Sequence, residues 1–231
     1  MKPMDKRKKA VLLGGTGLIG KQLLRILLES EAYETITAIV RKPLAEHSKL
    51  RQVVLTDFAA LESQAETFEG AEDVFCCLGT TIRQAGTRER FRIVDFDYPV
   101  MAARLAKAAG AQRYVLVSSM GADAGSRFFY NRVKGETEAA VRALQLPMIS
   151  IIRPSLLLGE REEFRLIERM GVAISRPLTP FLRKALPKMC PIEARDVAAV
   201  MHRVAQMYTP GVHIYENDQL HKMAPGSRAG T

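Results

Sequence analysis

Tyr130 and Lys134 stand four residues apart in the run Tyr-Asn-Arg-Val-Lys, and Ser119 ends a Val-Ser-Ser run eleven residues upstream. On a helix, positions i and i+4 share a face, so the phenol and the ammonium would point into one site. A tyrosine with its ordinary pKa near 10 is a poor acid or base at neutral pH. A lysine cation beside it, and a cationic nicotinamide ring, favour the phenolate and bring it toward a useful range. Lys134 would also hold the nicotinamide ribose, while Ser119 would bind and polarise a substrate carbonyl or hydroxyl. Such a trio suits proton transfer at a substrate oxygen.

A second constellation lies near the start of the chain, where residues 11–20 read Val-Leu-Leu-Gly-Gly-Thr-Gly-Leu-Ile-Gly. Gly14 permits a tight turn off a strand. Gly17 lacks a Cβ, so a pyrophosphate could approach the backbone at a helix N-terminus, and Gly20 lets that helix pack closely on the strand. The context is right for a dinucleotide: an apolar run precedes the glycines, and Leu18, Ile19, Leu23, Ile26 and Leu27 form a helical stripe after them.

Ligands of a doubly wound sheet bind outside the carboxyl ends of its strands, so each strand end carries a candidate. Arg41 and Lys42 follow the second strand, where NAD sites usually carry an acidic residue. A guanidinium there clamps a 2′-phosphate, which selects NADP(H). Asp57, after the third strand, suits either an adenine amine or a helix N-cap. Leu78, Gly79 and Thr80 follow the fourth strand; Gly79 lets backbone approach the cofactor, and Thr80 could donate to it. Pro154 stops the sixth strand, and the backbone from Ser155 onward could reach the nicotinamide carboxamide.

The elements that must position these residues are legible from hydrophobic periodicity. Strands are predicted at 10–13, 35–40, 52–55, 73–78, 113–118, 148–153 and 212–215. Helices are predicted from 18, over 58–69, over 88–109 with Val94, Tyr98, Met101, Leu105 and Ala109 on one face, over 128–144, and over 193–207. Gly110 is placed to end the third of these. The alternation predicts an α/β, Rossmann-like doubly wound parallel sheet with helices on both faces. At 231 residues and 47% hydrophobic, the chain suits one domain. Residues 8–159 would form its cofactor-binding core and 160–215 a small substrate-side cap with the last helix and strand, leaving 224–231 as a flexible tail. The proline- and arginine-rich stretch 160–190 belongs to that cap.

No apolar run approaches the ~18 residues a membrane span needs, and the basic N-terminus is not followed by a signal-peptide core. Three cysteines, two of them adjacent, give neither a disulfide framework nor metal-ligand spacing, which points to a reducing cytoplasm and no metal. The net charge of +9 is scattered among acidic residues. Phosphate binding and solubility account for it better than nucleic acid does.

Together these residues resemble the short-chain dehydrogenase/reductase superfamily, in its atypical branch, and within it the human HIV Tat-interacting protein 2 group with its bacterial relatives. The likeness spans about residues 8–205. It rests on Gly14–Gly20, on Phe-Cys-Cys-Leu-Gly-Thr-Thr at 75–81, on Ser-Ser-Met-Gly-Ala-Asp at 118–123, and on Tyr-x-x-x-Lys-Gly-Glu-x-Glu at 130–138. The resemblance implies an NADP(H)-binding fold with Thr16, Gly17, Leu18 and Ile19 around the pyrophosphate and Arg41 with Lys42 on the 2′-phosphate. It also implies Tyr130 as proton donor and acceptor, with Lys134 as its partner. Many superfamily members carry an asparagine on the fourth helix to hold a relay water, and the matching position here is Asp95.

Two functions fit. One is an NADP(H)-dependent oxidoreductase acting on a small carbonyl or alcohol through Ser119, Tyr130 and Lys134. The other is an NADPH-binding redox sensor with little turnover, engaging a regulatory protein partner. The helices at 88–109 and 128–144 are those that many members pair in a homodimer.

Overall fold

The computed structural model describes residues 7–158 and 189–225. Seven parallel strands form one sheet: β1 (Lys8–Leu13), β2 (Tyr33–Val40), β3 (Leu50–Val54), β4 (Asp73–Cys76), β5 (Arg113–Val117), β6 (Met148–Arg153) and β9 (Gly211–Glu216), in the order β3-β2-β1-β4-β5-β6-β9. Two short strands, β7 (Leu157–Leu158) and β8 (Ile192–Glu193), pair separately. The sheet reverses direction of growth between β1 and β4, the switch point at which such folds open a crevice. In register, Leu13 faces Ile39 on one side and Cys76 on the other. Gly14, Arg41 and Cys77 are thus the first residues past the ends of these three adjacent strands.

Helices cover both faces because the central strands are apolar on both; Ala10–Leu13 are at most 1% exposed. On one face lie α1 (Leu18–Glu29), α6 (Ala194–Gln206) and α7 (Asn217–Met223). The predicted inward residues of α6, namely Val197, Val200, Met201 and Val204, are all fully buried. The opposite face carries a 3-10 helix (Phe58–Phe68), α4 (Tyr98–Ala108) and α5 (Phe129–Ala143). Two short helices, α2 (Ile82–Ala85) and α3 (Arg88–Arg92), precede α4.

The helix predicted over 88–109 is interrupted: a π turn at Ile93–Asp97 joins α3 to α4. Pro99 has no N–H, so the carbonyl of Asp95 four residues earlier loses its helical donor. Thr137 Oγ1 of α5 supplies that hydrogen bond at 2.8 Å. The buried face of α4 also differs from the predicted stripe. Tyr98, Met101, Leu105 and Ala109 are half-buried, whereas Val100, Ala102, Ala103 and Ala106 are buried. Small residues there let the helix axis approach the sheet, and the large ones pack around its flanks. Gly110 ends α4 at φ +76° as expected.

The short elements α2, α7, β7 and β8 are not among those that hydrophobic periodicity predicts. A capping box between Glu216 and Gln219 marks the start of α7 and was available in the sequence. Most of the 160–190 cap segment, with its basic residues, lies outside the described residues, as does most of the predicted tail.

Candidate functional site

The glycine turn is built by close approach. Gly14 has φ +79°, and a Cβ on it would lie 2.6 Å from the carbonyl carbon and oxygen of Cys77. On Gly20 a Cβ would overlap the Gly14 carbonyl, so this glycine packs the helix on the turn itself rather than on the strand. Gly17 differs: among the described residues, the only atom within 4 Å of its missing Cβ is Gly14 O, at 3.4 Å. Gly17 is also the N-cap of α1 and provides no side-chain acceptor, so the first-turn N–H groups face outward. Thr16 and Gly17 are exposed, Leu18 is half-buried and Ile19 is buried. This open cradle at a 12-residue helix fits a pyrophosphate.

Arg41 and Lys42 leave β2 beside this turn and are exposed. Asp57 N-caps the 3-10 helix, with Oδ1 accepting from Ala59 N at 2.8 Å. Its capping role is thus realised. After β4, Leu78 is half-buried and Gly79 exposed. A Cβ on Gly79 would stand 3.4 Å from Asp95 Oδ1 and 3.6 Å from Lys134 Nζ. The loop after β4 therefore lies directly over the Lys134 ammonium. Thr80 N–H donates to Asp95 Oδ2 at 2.9 Å.

Lys134 and Asp95 form a buried ion pair, Nζ to Oδ1 at 2.7 Å. Burial alone would push Lys134 down, but the carboxylate beside it reverses that and holds the ammonium above its ordinary range. Burial raises Asp95, against the pull of Lys134. Tyr130 lies one turn before Lys134 on α5, close enough to interact with it electrostatically, and its ring packs on buried Phe91 at 5.5 Å between centroids. Burial pushes the Cys76 and Cys77 thiols up, which makes them poor nucleophiles.

The adjacent serines have opposite fates. Ser118 Oγ donates to Glu138, which also receives Arg153 Nε at 2.9 Å and Nη2 at 2.6 Å. Arg153 Nη1 reaches Glu216 at 2.9 Å. Ser119 Oγ is buried and has no hydrogen-bond partner among the described residues. An orphaned hydroxyl at a strand end fits a site that awaits a polar ligand. The loop carrying Ser119 is pressed onto α5: a Cβ on Gly135 would overlap Ala124 N, and Asp123 N–H donates to Asn131 O at 3.0 Å.

The exit from β6 is more occupied than expected. Pro154 O accepts from Met120 N at 2.9 Å, Ser155 N–H donates to Asn217 Oδ1 at 3.0 Å, and Ser155 Oγ donates to Cys190 O at 2.6 Å. Pro154 thus ties the exit of β6 to the loop after β5, Ser155 holds Cys190 and α7 in place, and the Ser155 N–H is already engaged. Glu138, Thr137, Gly135 and Asn217 were not singled out for these positioning roles. Only the Lys-Gly-Glu-x-Glu run signalled the first and third.

Residues 14–207 match a family model described as NAD(P)H-binding. The mitochondrial protein FMP52 of Debaryomyces hansenii is 36% identical over 87% of this chain and 90% of its own length. Protein HTATIP2 of Rattus norvegicus is 41% identical over 68% of this chain and 66% of its own. Among solved structures, a short chain dehydrogenase family protein from Francisella tularensis superposes with a TM-score of 0.70 at 14% identity, covering 93% of this chain and 99% of that one. Uronate dehydrogenase from Agrobacterium tumefaciens gives 0.65 at 15% identity, covering 90% and 75%. These two likenesses are of fold.

Proposed function

The chain belongs to the NAD(P)H-binding atypical short-chain dehydrogenase/reductase family, and from that premise we propose that it is an NADP(H)-dependent oxidoreductase. Its substrate would be a small carbonyl or alcohol. One observation carries the reading: Asp95 holds the Lys134 ammonium directly under the Gly79 loop, one helical turn from Tyr130. A bound nicotinamide dinucleotide would supply or take a hydride. Tyr130 would give its hydroxyl proton to the substrate oxygen, and Lys134 would hold the cofactor ribose and support Tyr130. The Ser119 hydroxyl, without a hydrogen-bond partner among the described residues, would donate to the same substrate oxygen and fix its position.

The choice of NADP(H) rests on Arg41 and Lys42, exposed cations where a carboxylate would repel a 2′-phosphate. Three free thiols suit a reducing compartment such as the cytoplasm. The yeast relatives are named mitochondrial, and localisation of a tagged full-length chain separates the two. Among the described residues no helix is long and apolar enough to cross a membrane.

The test is to establish NADPH binding by fluorescence and then to screen carbonyl compounds for NADPH oxidation. With a substrate in hand, Tyr130→Phe should lower turnover about 100-fold or more while NADPH still binds. Unchanged turnover in that variant would sink the mechanism. Tight NADPH binding with no oxidation across the panel would favour the redox sensor.

A further inference from the structure

Asp95 has no exposed surface. Its Oδ1 meets Lys134, its Oδ2 accepts from Thr80 N–H, and its carbonyl accepts from Thr137. It sits in the π turn just before Pro99, with its carboxylate against Lys134 of α5. Lys134 is 5% exposed. The groups facing Lys134 are Asp95 from the π turn, Tyr130 from its own helix, and Cys76 from β4, beside which stands Tyr114 of β5. Burial keeps Cys76 and Tyr114 neutral near pH 7. Among the described residues, Asp95 alone forms an ion pair with Lys134.

We infer that Asp95 is a positioning residue, a fixed counter-ion that keeps Lys134 charged beneath the cofactor loop and ties that loop to α5, not a station passing protons to solvent. The inference rests on the reading of Lys134 as cofactor-facing. For its carboxylate to pass protons to solvent, Asp95 would need contact with water, and a side chain with no exposed surface, set against Lys134 and Thr80 N–H, lacks that route. A counter-ion needs only proximity and shared burial. Without it, burial drives a lysine this enclosed toward the neutral amine. The link from Asp95 to Thr80 N–H also gives cofactor binding a direct purchase on the pair.

The test compares the wild-type chain with Asp95→Asn, which keeps the shape and removes the charge. NADPH affinity is measured from pH 7 to 9.5, and Lys134 is titrated by NMR of dimethylated lysines. In the wild type, affinity should stay within about twofold and Lys134 should remain charged throughout. In Asp95→Asn, Lys134 should titrate inside this window and NADPH affinity should fall about tenfold or more toward its alkaline end. A relay would leave both readouts as in the wild type and lower turnover alone, which would overturn the inference. If NADPH binds neither protein, the cofactor reading fails, and the lysine titration still decides the counter-ion role. If Asp95→Asn does not fold, the double variant Asp95→Asn/Lys134→Met decides. Restored folding supports the counter-ion role because no lone charge stays buried, and continued misfolding overturns it.

Discussion

Arg153, at the end of β6, grips both carboxylate oxygens of Glu138 on α5, with Nε at 2.9 Å and Nη2 at 2.6 Å. Ser118 donates to the same carboxylate, so one buried acid joins the ends of β5 and β6 to α5. That join sets the distance between the Ser119 strand end and the Tyr130 helix. Removing one partner strands the other. Glu138→Ala should therefore cost about 3 kcal/mol or more in urea unfolding, and Glu138→Met/Arg153→Met should recover most of it. A cost below about 1 kcal/mol for the single variant would show the join to be incidental.

Gly17 and Gly20 should separate function from folding. At Gly20 a methyl group would overlap the Gly14 carbonyl, whereas at Gly17 it would meet only one oxygen at 3.4 Å. Gly20→Ala should lower thermal stability sharply. Gly17→Ala should leave the melting temperature nearly unchanged and weaken NADPH binding about tenfold or more, because the methyl group fills the phosphate cradle. Equal melting losses in both variants would contradict the two roles.

Arg41 is exposed and makes no ion pair with any described residue. Arg41→Ala should change stability by less than about 0.5 kcal/mol. It should weaken NADPH about tenfold, a loss expected of one charge-assisted contact, and leave NADH affinity unaltered. A parallel loss for both cofactors would remove Arg41 from the 2′-phosphate.

His202 offers a pH test of the opposite face. Burial, and then the nearby Lys8 ammonium, hold its pKa below the ordinary 6.5. The unfolded chain therefore binds this proton more readily than the folded one. Stability from the neutral ring is fully present above pH 6.5 and is lost as pH falls through the depressed folded pKa. Thermal melts from pH 8 to 5 should show this step, and His202→Gln should flatten it. A step of the same size in the variant would assign it to other groups.

Much of this protein is fixed by local sequence, for local reasons. The strand ends, the glycine turn, the inward face of α6 and the Gly110 stop follow from periodicity and from backbone freedom that only glycine has. Asp57 could be read as a cap because N-capping depends on the two residues that follow it. Roles that depend on remote partners were not legible. Ser118 and Ser119 are identical in type and adjacent in sequence, yet one is bound to Glu138 and the other has no hydrogen-bond partner among the described residues. Ser155 stood at a strand end like the other candidates, but its N–H and hydroxyl are taken by Asn217 and Cys190 from segments far along the chain.

By itself the sequence determined the order of the seven sheet strands and the long helices, the glycine turn and the Tyr130–Lys134 spacing, because each is written within one or two helical turns of chain. Only the tertiary structure decided that Lys134 is buried against Asp95, that the Gly79 loop lies over them, and that α4 turns its small residues to the sheet. Those outcomes depend on which remote surfaces meet, and on how buried charges and backbone groups find partners once water is excluded.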